Sequence, residues 1–177
     1  MVDRRDFLKF SAVAAGSLFA ASAGAVMRPS GERSLALYNT HTGESLAATY
    51  WARGAYLADG LAEIHQILRD HRTGELFPMD PRLLDLLYAL RGSVQTEGPF
   101  HVISGYRSPA TNARLRHKGR NVATRSLHMQ GQAIDIRLPG HDLAALRRAA
   151  LALQGGGVGY YSRADFIHVD VGRVRFW

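Results

Sequence analysis

The chain has 177 residues, 46% hydrophobic and 21% charged, which is enough apolar material for one domain with a core and excludes a disordered polyelectrolyte. It contains no cysteine, which excludes disulfides, thiolate metal sites and cysteine nucleophiles. The net charge of +7 and pI near 10.2 favour polyanionic surroundings, yet no interleaving of aromatic and basic residues marks a single-strand nucleic-acid groove, and no nucleic-acid partner is expected.

The N-terminus reads as an address. Arg4-Arg5-Asp6-Phe7-Leu8-Lys9 precedes an apolar, small-residue stretch from Phe10 to Val26. Paired arginines before such a stretch look like a twin-arginine export signal, and Ala21, Ala23 and Ala25 offer an Ala-x-Ala cleavage site. The stretch is short and poor in Leu and Ile for a spanning helix. Residues 1–25 are therefore expected to be a signal peptide, 26–33 a linker and 34–177 one domain. The expected compartment is the periplasm, reached through the twin-arginine translocase, with no stable membrane insertion after cleavage; the alternative is an uncleaved N-terminal anchor. Losing residues 1–25 removes Arg4, Arg5 and Lys9 against Asp3 and Asp6, so the basic balance belongs to the domain.

In chain order, Leu35–Asn39 and Ser45–Trp51 flank a Thr40-His41-Thr42-Gly43 turn and predict a hairpin. Leu57, Leu61, Ile64 and Leu68 recur at helical spacing and predict a helix over Ala58–His71. Asp80-Pro81 supplies an N-cap and a first-turn proline for a helix to Arg91, ended by Gly92. Phe100–Ser104 reads as a buried strand and Pro109–His117 as a helix stopped near Gly119. Gln132–Leu138 alternates as a strand, Asp142–Gln154 is helical up to three glycines, and Val158–Tyr161 and Phe166–Val171 are closing strands. Helices come first and strands gather late, which gives an α+β class.

The chemistry lies in the late strands. Ser126-Leu127-His128-Met129-Gln130-Gly131-Gln132-Ala133-Ile134-Asp135 is followed by Asp165-Phe166-Ile167-His168-Val169-Asp170. Ile134, Ile136 and Leu138 share one face of their strand, so Asp135 points the other way; the same alternation turns His168 and Asp170 away from Ile167, Val169 and Val171. If the two strands pair, Asp135 and His168 stand about 5 Å apart at Cβ. Gly131 lets the loop carrying His128 turn back toward them. Two imidazoles and a carboxylate make a three-ligand set with room for a fourth, the usual arrangement of catalytic zinc, and one Zn2+ per chain is expected. A histidine in a strand is more often packed or exposed than a ligand; His41, His65, His71, His101, His117 and His141 are read that way.

Ser-x-His-x-x-Gly-x-Ala-x-Asp with a downstream acid-x-x-His resembles the zinc D-Ala-D-Ala metallopeptidases, which share a fold with lysostaphin-type enzymes and the hedgehog signalling domain, and in particular their murein endopeptidase branch. Ser34–Glu44, Ile103-Ser104-Gly105-Tyr106-Arg107-Ser108-Pro109 and Gly156–Tyr161 support it, so it covers Ser34 to Trp177. The resemblance implies helices packed on a small antiparallel sheet, zinc ligands His128, Asp135 and His168, substrate contacts near Tyr106 and Arg107, and zinc-dependent hydrolysis of cross-links between peptidoglycan stem peptides. Better-known relatives carry Glu three residues before the last histidine, where this chain has the shorter Asp165. Asp165 is the expected general base, with Asp170 as a brace for a ligand imidazole or an alternative base. Arg107 is expected to hold a developing oxyanion or a substrate carboxylate, and Ser126 to contact substrate or orient His128. A carboxypeptidase or dipeptidase on free termini, and a non-catalytic zinc module, are the alternatives.

Overall fold

A computed structural model describes residues 31–118 and 122–177. The expected signal segment lies outside them. In chain order the elements are β1 (Arg33–Asn39), β2 (Ser45–Ala52), β3 (Ala55–Tyr56), α1 (Ala58–Ile67), α2 (Pro81–Ser93), β4 (Phe100–Ser104), α3 (Pro109–His117), β5 (Ala133–Arg137), α4 (Leu143–Leu153), β6 (Gly157–Tyr161), β7 (Phe166–Asp170) and β8 (Arg175–Phe176). The α+β class holds, but the sheet is neither small nor purely antiparallel. It has eight strands in the order β3-β2-β1-β4-β5-β7-β6-β8, with β1 beside β4 and β6 beside β8 in parallel. The β1–β4 pair is parallel because the chain leaves the β1–β2 hairpin for two helices before β4 returns to the free edge of β1, and such a crossover makes a parallel pair. β1 also begins at Arg33, inside the expected linker.

One face of the sheet is apolar and takes α1, α2 and α4. Leu35, Leu37, Tyr50, Phe100, Val102, Ile134, Ile136, Ile167 and Val169 meet Ile64, Leu83, Leu84, Leu87, Leu90, Leu146 and Ala150 in one core. Each of these side chains is nearly or wholly removed from water, and full burial of one large apolar side chain stabilises by about 1.5–3 kcal/mol. α2 starts as expected: Asp80 accepts from the Arg82 N–H, and Pro81 opens the first turn. α1 ends four residues earlier than its apolar spacing predicts. The Ile67 carbonyl accepts from Asn39 Nδ2 at 2.9 Å and the Leu68 carbonyl from the Tyr106 N–H at 2.8 Å, so neither continues a helix. The freed chain turns at Asp70, whose carbonyl accepts from Thr73 and Gly74.

The opposite face is polar at its centre. α3 packs on that side, and its Leu115 is buried outside the main core, against the cleft described next.

Candidate metal centre

The register of the central strands brings the site together. β5 and β7 are antiparallel with Asp135 opposite His168, as the alternation predicts. His128 arrives from a 3-10 turn, Leu127–Gln130, which ends at Gly131 in the left-handed region, φ 65°. A Cβ at Gly131 would lie 2.1 Å from the Pro78 carbonyl oxygen, so glycine is required both by conformation and by close approach. The Gly131 carbonyl in turn accepts from the Asp80 N–H at 2.8 Å, which ties the ligand loop to the start of α2.

Three atoms converge: His128 Nε2, Asp135 Oδ1 and His168 Nδ1, separated by 3.2, 3.2 and 2.9 Å. Their outer partners fix the tautomers. His128 Nδ1 donates to the Gly105 carbonyl at 2.8 Å, and His168 Nε2 donates to Asp170 Oδ2 at 3.0 Å. With both imidazoles neutral, the two inner nitrogens and the Asp135 oxygen turn lone pairs on one another, and a proton on His168 Nδ1 or a metal ion relieves this repulsion. Donors about 2.0–2.1 Å from a tetrahedral zinc stand about 3.3 Å apart, close to the spacing found. The donor set thus fits a metal ion, and all three side chains are buried.

The electrostatics agree. Burial alone would raise the Asp135 carboxyl, but the two imidazoles beside it outweigh that and hold it well below the usual carboxylate range. Burial pushes the His128 imidazole down, keeping it neutral and able to ligate. His168 is also opposed by burial, yet Asp135 and Asp170 on either side raise it, so positive charge is favoured at that point.

Asp170 is wholly buried and takes five donors: the Gly157 and Gly172 N–H groups, Arg175 Nη1 and Nη2, and His168 Nε2. Asp165 is placed differently. It has φ 53°, is exposed, and pairs with Arg137 at 3.3 Å. It sits at the rim between Ala164 and Phe166, both of which line the cleft.

The cleft above the triangle has a volume of about 620 Å³. Arg107 lines it, buried, with Nη2 3.4 Å from both Asp135 Oδ2 and Ser104 Oγ and a buried Nε that has no partner among the described residues. Its backbone N–H donates to the His128 carbonyl. Ser126 also lines the cleft, and its carbonyl caps the 3-10 turn at Met129 N–H. Tyr106 does not: its hydroxyl donates to Glu75 at 2.8 Å and its ring stacks on Phe77, 4.8 Å between centroids. It supports the arginine loop from behind.

Three features escape the sequence pattern. Gly105 supplies the carbonyl that sets the His128 tautomer, and a Cβ there would be 2.5 Å from the Leu68 carbonyl oxygen. Arg175, on a two-residue strand, neutralises Asp170. Trp177 lays its indole over Gly159 and against His168, 5.3 Å between ring centroids, and donates to the Tyr161 hydroxyl. His41, read as a packed or exposed residue and not a ligand, is exposed; it also lines the cleft and stacks on His71 at 3.8 Å.

The family model described as peptidoglycan L,D-endopeptidase MepK matches residues 28–177. The chain is 41% identical over 176 residues to peptidoglycan L,D-endopeptidase MepK of Escherichia coli K12, covering 99% of this chain and 97% of the relative. The same identity and coverage hold for the Shigella flexneri protein of that name. It is 36% identical over 177 residues to the probable peptidoglycan L,D-endopeptidase MepK of Haemophilus influenzae, covering 95% of that protein. Agreement over nearly the whole of this chain and of its relatives leads to one conclusion: the chain belongs to the peptidoglycan L,D-endopeptidase MepK family.

Proposed function

We propose that this protein is a zinc-dependent endopeptidase that hydrolyses cross-links between peptidoglycan stem peptides. The observation that carries the reading is the lone-pair triangle of His128, Asp135 and His168, with both imidazoles oriented by outer hydrogen bonds. The relatives, named as peptidoglycan L,D-endopeptidases, support the substrate class. His128, Asp135 and His168 would hold a zinc ion, which would supply a Lewis acid to activate water and polarise the scissile carbonyl.

The chain's own residues do the rest. Arg107 points at the metal triangle from the cleft wall, with donors held at long distance and Nε unpartnered, so a developing oxyanion gains hydrogen bonds that the resting protein lacks. Asp165 takes the proton from the attacking water and delivers it to the leaving amine. Its ion pair with Arg137 is exposed, hence worth about 0–1 kcal/mol, and yields readily to substrate. Asp170 fixes the His168 ring, and Ser126 contacts the bound peptide. Residues 1–25 direct export by the twin-arginine route to the periplasm, where murein lies; among the described residues no helix is long and apolar enough to cross a membrane.

Digestion of purified murein, with products separated chromatographically, tests the reading. The zinc-loaded protein should release cross-linked dimers as monomers, stop when a chelator is added, and resume with zinc. Release of single terminal residues alone would make it a carboxypeptidase instead. His128→Ala and His168→Ala should each lose bound metal; full retention in both would sink the ligand assignment.

A further inference from the structure

The segment from Gly98 to Ile134 contains no Asp or Glu, but it contains Arg107, Arg114, Arg116, Lys118, Arg120 and Arg125. Of its described residues, Leu115 of α3, Val122, Ala123, Arg125 and Ser126 line one wall of the cleft. Arg107 faces inward and is paired with Asp135. Arg114, Arg116, Lys118 and Arg125 are exposed, and among the described residues none of their side chains has a carboxylate or hydrogen-bond partner. Elsewhere arginines do find carboxylates, as Arg33 does with Asp85, Arg69 with Glu44 and Arg91 with Glu97. Arg125 precedes His128 by three residues, so their Cα atoms lie within roughly 11 Å of each other. Among the described residues that line the cleft Asp135 is the one acid, and it belongs to the metal triangle; Asp165 stands at the rim, paired with Arg137.

We infer that Arg125, together with Arg114 and Arg116 of α3 and Lys118 at its C-terminal cap, is a carboxylate-reading rim that selects cross-links whose flanking residues carry free, unamidated carboxylates. The inference rests on the endopeptidase reading and deepens it. A guanidinium three residues from a metal ligand can pair with a carboxylate beside the bond being cut, while the three exposed cations on either side of Leu115 add a field that concentrates anionic peptide at the cleft. An amidated substrate of the same shape keeps its backbone contacts and loses the charge.

The experiment compares two purified cross-linked muropeptides, one with free and one with amidated carboxylates, on the zinc-loaded protein. The free form should have a KM about tenfold lower, with kcat little changed, as expected for one charge-assisted hydrogen bond. Arg125→Gln should narrow that preference toward unity, Arg125→Lys should retain part of it, and Arg114→Gln/Arg116→Gln/Lys118→Gln should weaken it and its salt dependence together. Equal KM for the two substrates overturns the inference. So does an Arg125→Gln variant that loses equally on both, which marks a structural role. If the wild type cuts neither substrate, the endopeptidase reading falls, and calorimetric binding of the same two muropeptides decides the rim separately: equal affinity overturns it. Binding to phosphatidylglycerol vesicles that Arg125→Gln abolishes, without discrimination between muropeptides, assigns the patch to a membrane and overturns it too.

Discussion

At Asp170 five donors converge on two oxygens, and the residue has no exposed surface. A carboxylate so occupied has little capacity to take a proton from water, but it sets the ring angle and tautomer of His168. Asp165 has the opposite character, with oxygens open to solvent and one exposed ion pair. Asp165→Asn should therefore keep the metal and slow murein cleavage by ~10²–10⁴-fold, the usual cost of losing a general base. Asp170→Asn should lower metal affinity by ~10–100-fold. Metal analysis beside rate measurement separates them, and an active Asp165→Asn with a metal-bound, dead Asp170→Asn would reverse the roles. The alternation of Ile134, Ile136, Ile167 and Val169 made the facing of Asp135 and His168 legible in the sequence, because period two fixes which side of a strand a residue takes. Nothing comparable revealed where Asp165 points. It occupies a left-handed turn position, where side-chain direction follows from the turn and not from a repeat.

At the scale of elements, Asp70 joins the end of α1 to the start of α3. Its Oδ2 accepts from the Ser108 N–H at 2.9 Å and from Ser108 Oγ at 2.6 Å, its Oδ1 accepts from the Arg72 N–H, and Ser108 Oγ caps Thr111. Ser108 follows Arg107 directly, so the same link positions the cleft arginine. Burial would raise the Asp70 carboxyl, but the hydrogen bonds from Ser108 and the Arg72 N–H outweigh it and hold the group down to about 2. The folded value lies below the ordinary 3.8, so the unfolded chain takes up the proton first as pH falls. The stability from this group is thus fully present above about pH 4 and is lost between about 4 and 2; over that interval it amounts to about 2 kcal/mol. Denaturant unfolding of Asp70→Asn should show a loss of that order at pH 7 and a flatter acid limb below pH 4. An acid limb identical to the wild type's would refute the link. The helix limits that the sequence misjudged have the same origin. Apolar spacing carried α1 to His71, whereas contacts from Asn39 and Tyr106, 28 and 38 residues away from their acceptors, ended it at Ile67.

Across the whole molecule the sheet separates two tasks. One face is apolar and binds three helices; the other carries the metal donors in its central strands and the cleft above them. β5 and β7 each have a strand at both edges, which holds Asp135 and His168 in a fixed register, while the sheet ends in the two-residue strands β3 and β8, too short to recruit another chain. Six of the eight strands were legible, since each is a short alternating or apolar run between turn residues, whereas the two-residue strands β3 and β8 were not. Their order was not: the parallel pairing of β1 with β4 joins residues some sixty positions apart, and β8 has too few residues to show any period.

The indole of Trp177 against His168 gives the protein an optical consequence. The chain has two tryptophans, Trp51 and Trp177, and Trp51 lies on β2 under the Arg33 guanidinium. In a Trp51→Phe protein all indole emission comes from beside a metal donor. An imidazole that exchanges a proton for a metal ion changes its power to quench a neighbouring indole, so emission should report occupancy directly. Titration of zinc into the metal-depleted Trp51→Phe protein should change the fluorescence in proportion to loading, with a break at one equivalent. Emission that stays constant while metal analysis shows the site filling would mean that His168 is not among the donors.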